Sequence, residues 1–139
     1  MKIAVRYYSR GGNTKKVALA VAEAAGVEAR TVAVPLDEKV DVLFLGSAVY
    51  AAGVDNAVKL FLEENKENIG TVYNFSTASI LPSTYKQMQK ITGDLGISLS
   101  DREYHCRGSF ALLHRGHPDE GDLARARAFT KQVLEKAGK

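Results

Sequence analysis

The sequence predicts an α/β fold, a doubly wound three-layer sandwich on a five-stranded parallel sheet, and three observations carry that prediction. Short apolar runs without helical period alternate with stretches of helical period, the pattern of a buried parallel sheet with helical crossovers. The polar segments able to hold a ligand follow directly on apolar runs, where the carboxyl ends of parallel strands lie. The chain has 139 residues, 45% of them hydrophobic, which suits one core, so residues 1–139 are expected to form a single domain.

Ile3 to Tyr8 is dense in apolar and aromatic residues and is expected to be a central, buried strand. The loop Ser9-Arg10-Gly11-Gly12-Asn13-Thr14 follows it. From Thr14 the pattern is helical, with Val17, Ala18, Val21, Ala22 and Ala25 on one face and Gly26 as the stop. Strand, polar glycine loop and helix together aim several backbone N–H groups and the positive end of a helix at one spot, which suits a phosphate. A Walker loop needs Lys and then Ser or Thr after its last glycine, and here Gly12 is followed by Asn13, Thr14, Lys15 and Lys16. The dinucleotide fingerprint is also absent, because Gly11 and Gly12 are adjacent and no third glycine closes the turn.

The stretch YYSRGGNT followed by KKVALAVAEA resembles the FMN-phosphate loop of the flavodoxin family, whose pattern is Ser/Thr-x-Thr-Gly-Asn-Thr/Ser at the end of the first strand. The resemblance implies a flavodoxin-like fold, FMN as a non-covalent cofactor, and electron transfer to a redox partner protein or a small-molecule acceptor. It places Ser9, Gly12, Asn13 and Thr14 on phosphate-binding positions, with Arg10 and Gly11 in the same loop. Gly11 stands where the family carries a hydroxyl residue, so one phosphate hydrogen bond is expected to be missing.

Glu28 to Val34 alternates and is expected to be the second strand, ending at Pro35. Only the seven residues from Pro35 to Asp41 precede the next apolar run. Fully extended, they reach ~24 Å, enough for a return but not for a helix. The second crossover helix is therefore expected to be reduced or absent, leaving one sheet face beside the first two strands thinly covered. A second copy of the chain, forming a homodimer, is the partner expected to close it.

Val42 to Leu45 is the third strand, and Gly46 to Gly53 is expected to be a loop facing the phosphate loop at the switch point of the sheet. This loop is similar to a G-x-x-x-Y-x-G stretch in short-chain flavodoxin-like proteins. That resemblance implies that Ala48, Val49, Tyr50 and Ala51 lie along the flavin ring and that Gly53 supplies a peptide near N5. Tyr50, its only aromatic, either contacts the ring or packs beside the next helix. Helical spacing returns at Val54, Ala57, Val58, Phe61 and Leu62, and Thr71 to Phe75 is the fourth strand. Ser76, Thr77, Ala78 and Ser79 follow at the ligand end, where hydroxyls could bond the pyrimidine edge of a flavin. No aromatic stands between Ser76 and Thr84, so the ring is expected to be more open than in an electron-carrier flavodoxin. An FMN-dependent reductase of quinone-like acceptors is therefore the alternative. A flavodoxin-fold interaction module that has lost the cofactor is a third reading.

Tyr85, Met88, Ile91, Thr92 and Leu95 mark the next helix, with Gly96 as its stop. Glu103 to Leu113 is expected to be the fifth strand, interrupted by Gly108. Strand neighbours point to opposite faces, so His105 and Cys106 are not expected to pair, and Cys106 is expected to be a buried, inert thiol. His114, His117, Asp119, Glu120 and Asp122 match no zinc spacing, and the acids are better read as the start of the final helix. Its inner stripe is Leu123, Ala126, Phe129, Thr130 and Val133.

The net charge of +3 and pI near 9.0 come from scattered residues with no basic cluster interleaved with aromatics, so nucleic acid is not an expected partner. Near a flavin, positive charge would stabilise the reduced, anionic form. No leader pattern begins the chain and no apolar run nears the ~20 residues of a bilayer span, so no membrane partner and a cytoplasmic location are expected. The single cysteine excludes an intramolecular disulfide. A phospho-receiver domain would need acids where Tyr8, Ser9 and Gly46 stand, and a small phosphatase would need a cysteine in the first loop.

Overall fold

The fold was taken from a computed structural model, which describes residues 1–9, 11–50, 53–78, 84–107 and 118–138. The elements, in chain order, are β1 (Ile3–Tyr7), α1 (Asn13–Ala25), β2 (Ala29–Thr31), β3 (Val40–Tyr50), β4 (Gly53–Val54), α2 (Asn56–Asn65), β5 (Ile69–Ala78), α3 (Tyr85–Leu95), β6 (Ser98–Leu99), β7 (Tyr104–Arg107) and α4 (Glu120–Ala137). A single 3₁₀ turn, Lys66–Asn68, joins α2 to β5.

The sheet runs β2-β1-β3-β5-β6, with every pairing along that path parallel. β7 also pairs parallel with β5, further along it than β6, so β6 and β7 form one interrupted edge strand. This is the doubly wound order expected for five strands. β4 is extra, folding back antiparallel on the end of β3 through Val49↔Val54 and Tyr50↔Gly53.

Side-chain alternation divides the core into two layers. Val5, Tyr7, Val42, Phe44 and Phe75 face α1 and α4, whose buried stripes include Val17, Ala18, Val21, Ala126 and Val133. Ala4, Leu43, Leu45 and Val72 face α2 and α3 through Val58, Phe61, Leu62 and Met88. Phe129 meets Phe44 edge-on at 6.2 Å, securing α4 over the middle of the sheet. α1 and α3 both stop at glycines in left-handed conformation, Gly26 and Gly96, as their positions after the last apolar residue predict.

No helix lies between β2 and β3, as the short segment implies. Its place is taken by an irregular linker whose backbone polar groups are met by side chains. Arg6, in mid-strand and only 7% exposed, donates from Nε to the Val34 carbonyl at 2.9 Å and from Nη2 to the Pro35 carbonyl at 3.2 Å. The Leu36 N–H donates to Asn65 Oδ1 at 2.9 Å, and the Leu36 side chain is buried against Leu43 and its neighbours. Buried irregular backbone is costly unless its groups are paired, and Arg6 and Asn65 do the pairing. The linker therefore lies over β1, with Leu36 buried in one cluster with Ala4.

Several boundaries differ from expectation. β3 and β5 run together from Val40↔Ile69 to Ala48↔Thr77, so Gly46 to Tyr50 and Ser76 to Ala78 are strand rather than loop. The ladder continues past the apolar run because the polar side chains there have buried partners of their own. β2 is shorter, since the Val34 N–H bonds the Thr31 carbonyl at 3.1 Å and turns the chain. The edge strand is interrupted at Ser100 to Glu103, and the expected interruption at Gly108 falls in residues 108–117, which lie outside the described residues.

Candidate functional site

The loop after β1 and the ends of β3 and β5 lie at the carboxyl edge of the sheet, at the point where strand order reverses. Tyr8 continues from β1, its N–H donating to the Gly46 carbonyl at 3.1 Å, so the loop that follows starts alongside β3. Ser9 Oγ accepts from the Gly12 N–H at 3.0 Å and folds the loop into a tight turn. Gly12 is the N-cap of α1 with φ of 89°, a conformation that favours glycine, and it offers no side chain to the first-turn amides. The first intrahelical bond runs from the Lys16 N–H to the Gly12 carbonyl at 3.1 Å.

The first turn of α1 carries no acid and has Lys15 and Lys16, both exposed. Two cations at the positive pole of a helix are unfavourable in isolation and favour a bound anion. The start of α4 is the opposite case, where Asp119 and Asp122 form a capping box and Glu120 adds charge. The acids expected to begin the final helix therefore do so. Among the described residues no group of three or more His, Cys, Asp or Glu side chains could hold a metal ion, and His114 and His117 lie outside those residues.

Thr14 Oγ1 lies 2.9 Å from Thr77 Oγ1, with both residues 1% exposed. The structure thus unites Ser9, Gly12 and Thr14 with Thr77. Ser76 points to the other face, where its Oγ accepts from the Thr84 N–H at 3.4 Å. Asn13 opens α1, Gly11 precedes its cap, and Ala48 pairs with Thr77. Gly53 pairs with Tyr50 in the β3–β4 hairpin. Arg10, Ala51 and Ser79 lie outside the described residues, as do the side chains of Val49, Tyr50 and Ala78.

Three residues that sequence reasoning did not select belong to this end of the molecule: Ser47, Asn74 and Thr84. Ser47 Oγ donates to Thr84 Oγ1 at 3.0 Å, and Asn74 Nδ2 donates to the same atom at 3.0 Å. The signal for Asn74 was present, as the one amide in the apolar strand Thr71 to Phe75.

Cys106 pairs in register with Thr77, one strand further out. Burial, with Asp122 nearby, pushes its thiol up from the ordinary 9.0 to about 12, so it is protonated and a poor nucleophile. Tyr104, on the same face, is likewise raised to about 12 by burial, and its hydroxyl donates to the Asp122 carbonyl at 2.7 Å. His105 is exposed, with Nδ1 3.3 Å from Glu103 Oε1, apart from the buried Cys106 as strand alternation requires.

No protein-family model matches the chain. An uncharacterized protein of Methanocaldococcus jannaschii is 26% identical over 149 residues, covering 97% of this chain and 99% of its own. A solved flavodoxin from the domain Archaea superposes with a TM-score of 0.81 at 18% identity, with 100% of both chains covered. Rubredoxin oxygen:oxidoreductase from the anaerobe Desulfovibrio gigas superposes with a TM-score of 0.75 at 12% identity, covering 99% of this chain and 36% of that one. With the strand order, these likenesses establish a flavodoxin-like α/β fold.

Proposed function

We propose that this protein binds FMN non-covalently and transfers electrons through it to a redox partner protein or a small-molecule acceptor. The observation that carries the reading is the start of α1: a left-handed glycine cap without a side chain, no acid in the first turn, and two lysines. That environment selects a dianion such as a phosphate monoester.

Each residue has a distinct part in this reading. Ser9 holds the Gly12 N–H and fixes the loop, so that the amides of Asn13 and Thr14 face the phosphate. Within the Thr14–Thr77 pair one hydroxyl donates to the other, and the second hydroxyl hydrogen is directed to a phosphate oxygen. Arg10 and Gly11 complete the loop. The ends of β3 and β5, with Ala48, Val49, Tyr50, Ala51 and Gly53 on one side and Ser76, Thr77, Ala78 and Ser79 on the other, flank the ring. When bound, FMN supplies the one- or two-electron chemistry, and the protein binds, orients and tunes it.

An absorption spectrum of the purified protein between 300 and 600 nm, followed by titration of the apoprotein with FMN and riboflavin, tests the reading. A yellow protein that takes FMN far more tightly than riboflavin is the expected result. The burial of Thr14, with its hydroxyl already engaged, favours a second reading, a fold that has lost the cofactor and serves as an interaction module. Failure to bind either flavin selects that reading.

A further inference from the structure

The buried polar cluster around Thr84 carries an inference that rests on the proposed flavin site. Ser47 in the last part of β3, Asn74 in the middle of β5, Ser76 near its end, and Thr84 at the start of α3 are each 1% exposed or less. Thr84 Oγ1 accepts from Ser47 Oγ at 3.0 Å and from Asn74 Nδ2 at 3.0 Å, and faces Asn74 Oδ1 as a donor at 3.3 Å. Its own N–H donates to Ser76 Oγ at 3.4 Å. A hydroxyl accepts two bonds and donates one, so this oxygen is at capacity.

The position of that hydroxyl is informative. Thr84 is the N-cap of α3, where a threonine ordinarily turns its oxygen onto a first-turn amide, and here it makes no such bond. The helix cap is given up so that the start of α3 is bonded to both β3 and β5. Burial alone does not call for this, because valine has the same shape and needs no partners. What a completed polar cluster adds is directional geometry: Ser47 and Asn74 are held at set distances from a common atom.

We infer that Thr84 is a positioning residue for the ring end of the flavin site, tying the start of α3 to Ser47 of β3 and to Asn74 and Ser76 of β5 while touching no part of the cofactor. The phosphate end depends on a different pair, Thr14 and Thr77, on the opposite face of the sheet. The two ends of the cofactor are therefore controlled by separate clusters.

The test compares wild type with Thr84→Val, Thr84→Ser and Thr14→Val, reading FMN and riboflavin dissociation constants and the visible circular dichroism of the FMN-bound protein. Thr84→Val is expected to weaken both flavins equally, by about tenfold, and to change the visible bands, whereas Thr84→Ser restores both. Thr14→Val is expected to weaken FMN alone and leave the bands unchanged. A folded Thr84→Val protein with wild-type affinities and bands overturns the inference, as does a loss confined to FMN. If Thr84→Val does not fold, Ser47→Ala replaces it, with about threefold weakening of both flavins expected and wild-type behaviour overturning the inference. A wild-type protein that binds neither flavin removes the proposed function and this inference with it, an outcome distinct from binding that Thr84 leaves unchanged.

Discussion

Thr14 Oγ1 and Thr77 Oγ1 meet at 2.9 Å in the interior, joining the first turn of α1 to the end of β5 across 63 positions of sequence. The contact ties the loop after β1 to the sheet as well as to one helix. Thr14→Ala is expected to weaken FMN by about 1–2 kcal/mol and leave riboflavin unchanged. In urea unfolding without flavin, a double-mutant cycle of Thr14→Ala and Thr77→Ala is expected to give a coupling of about 1 kcal/mol. Zero coupling would mean that each hydroxyl is satisfied without the other.

Arg6 is the cover that replaces a helix. Its pKa is lowered by burial and by Arg30, and the charge is retained because Val34 and Pro35 offer carbonyls to it. Arg6→Met keeps much of the stem but leaves those carbonyls unpaired, and a loss of about 2–4 kcal/mol is expected in equilibrium unfolding. Little change would show that water reaches the linker.

Gly46 lies against the ring of Phe75, where an added Cβ would overlap the ring carbons. The ring is fully buried, so it cannot turn away freely. Gly46→Ala is expected to destabilise by about 1–3 kcal/mol, with part of the loss recovered in Gly46→Ala/Phe75→Leu. Additive losses in the double variant would place the strain elsewhere.

Tyr104 and Cys106 make alkaline pH destabilising. Both keep their protons in the folded state to about 12, whereas the unfolded chain releases them near the ordinary 10.0 and 9.0. As pH rises through the ordinary 9.0 of the thiol and then the 10.0 of the phenol, the unfolded state binds fewer protons than the folded one and stability falls, most steeply between the unfolded values and about 12; well below 9.0 these groups contribute no slope. Cys106→Ala is expected to flatten the early part of that decline in thermal melts. An unaltered alkaline slope would show that the thiol ionises equally well in the fold.

Most of the architecture was legible because it rests on local signals: apolar runs, helical stripes and the stops at Gly26 and Gly96. The loop at Ser9 to Thr14 was legible for the same reason, since its strand and helix adjoin it in sequence. What escaped notice depends on partners far along the chain. Arg6 looked like one polar residue in a strand, and only Val34 and Pro35 explain why it is buried. Ser47, Asn74 and Thr84 are three ordinary polar residues until β3 and β5 are laid side by side. The ends of β3 and β5 were placed too early because hydrophobicity fades where the backbone ladder does not.

The helix-free return from β2 to β3 also makes the protein easy to build upon. Its tip, Asp37, Glu38 and Lys39, is exposed at the floor of the sheet, where β3 begins and the carboxyl edge is a full strand away. An affinity tag, a fluorophore or a tethered redox partner spliced in at that tip would leave the rim clear, giving the molecule a natural handle.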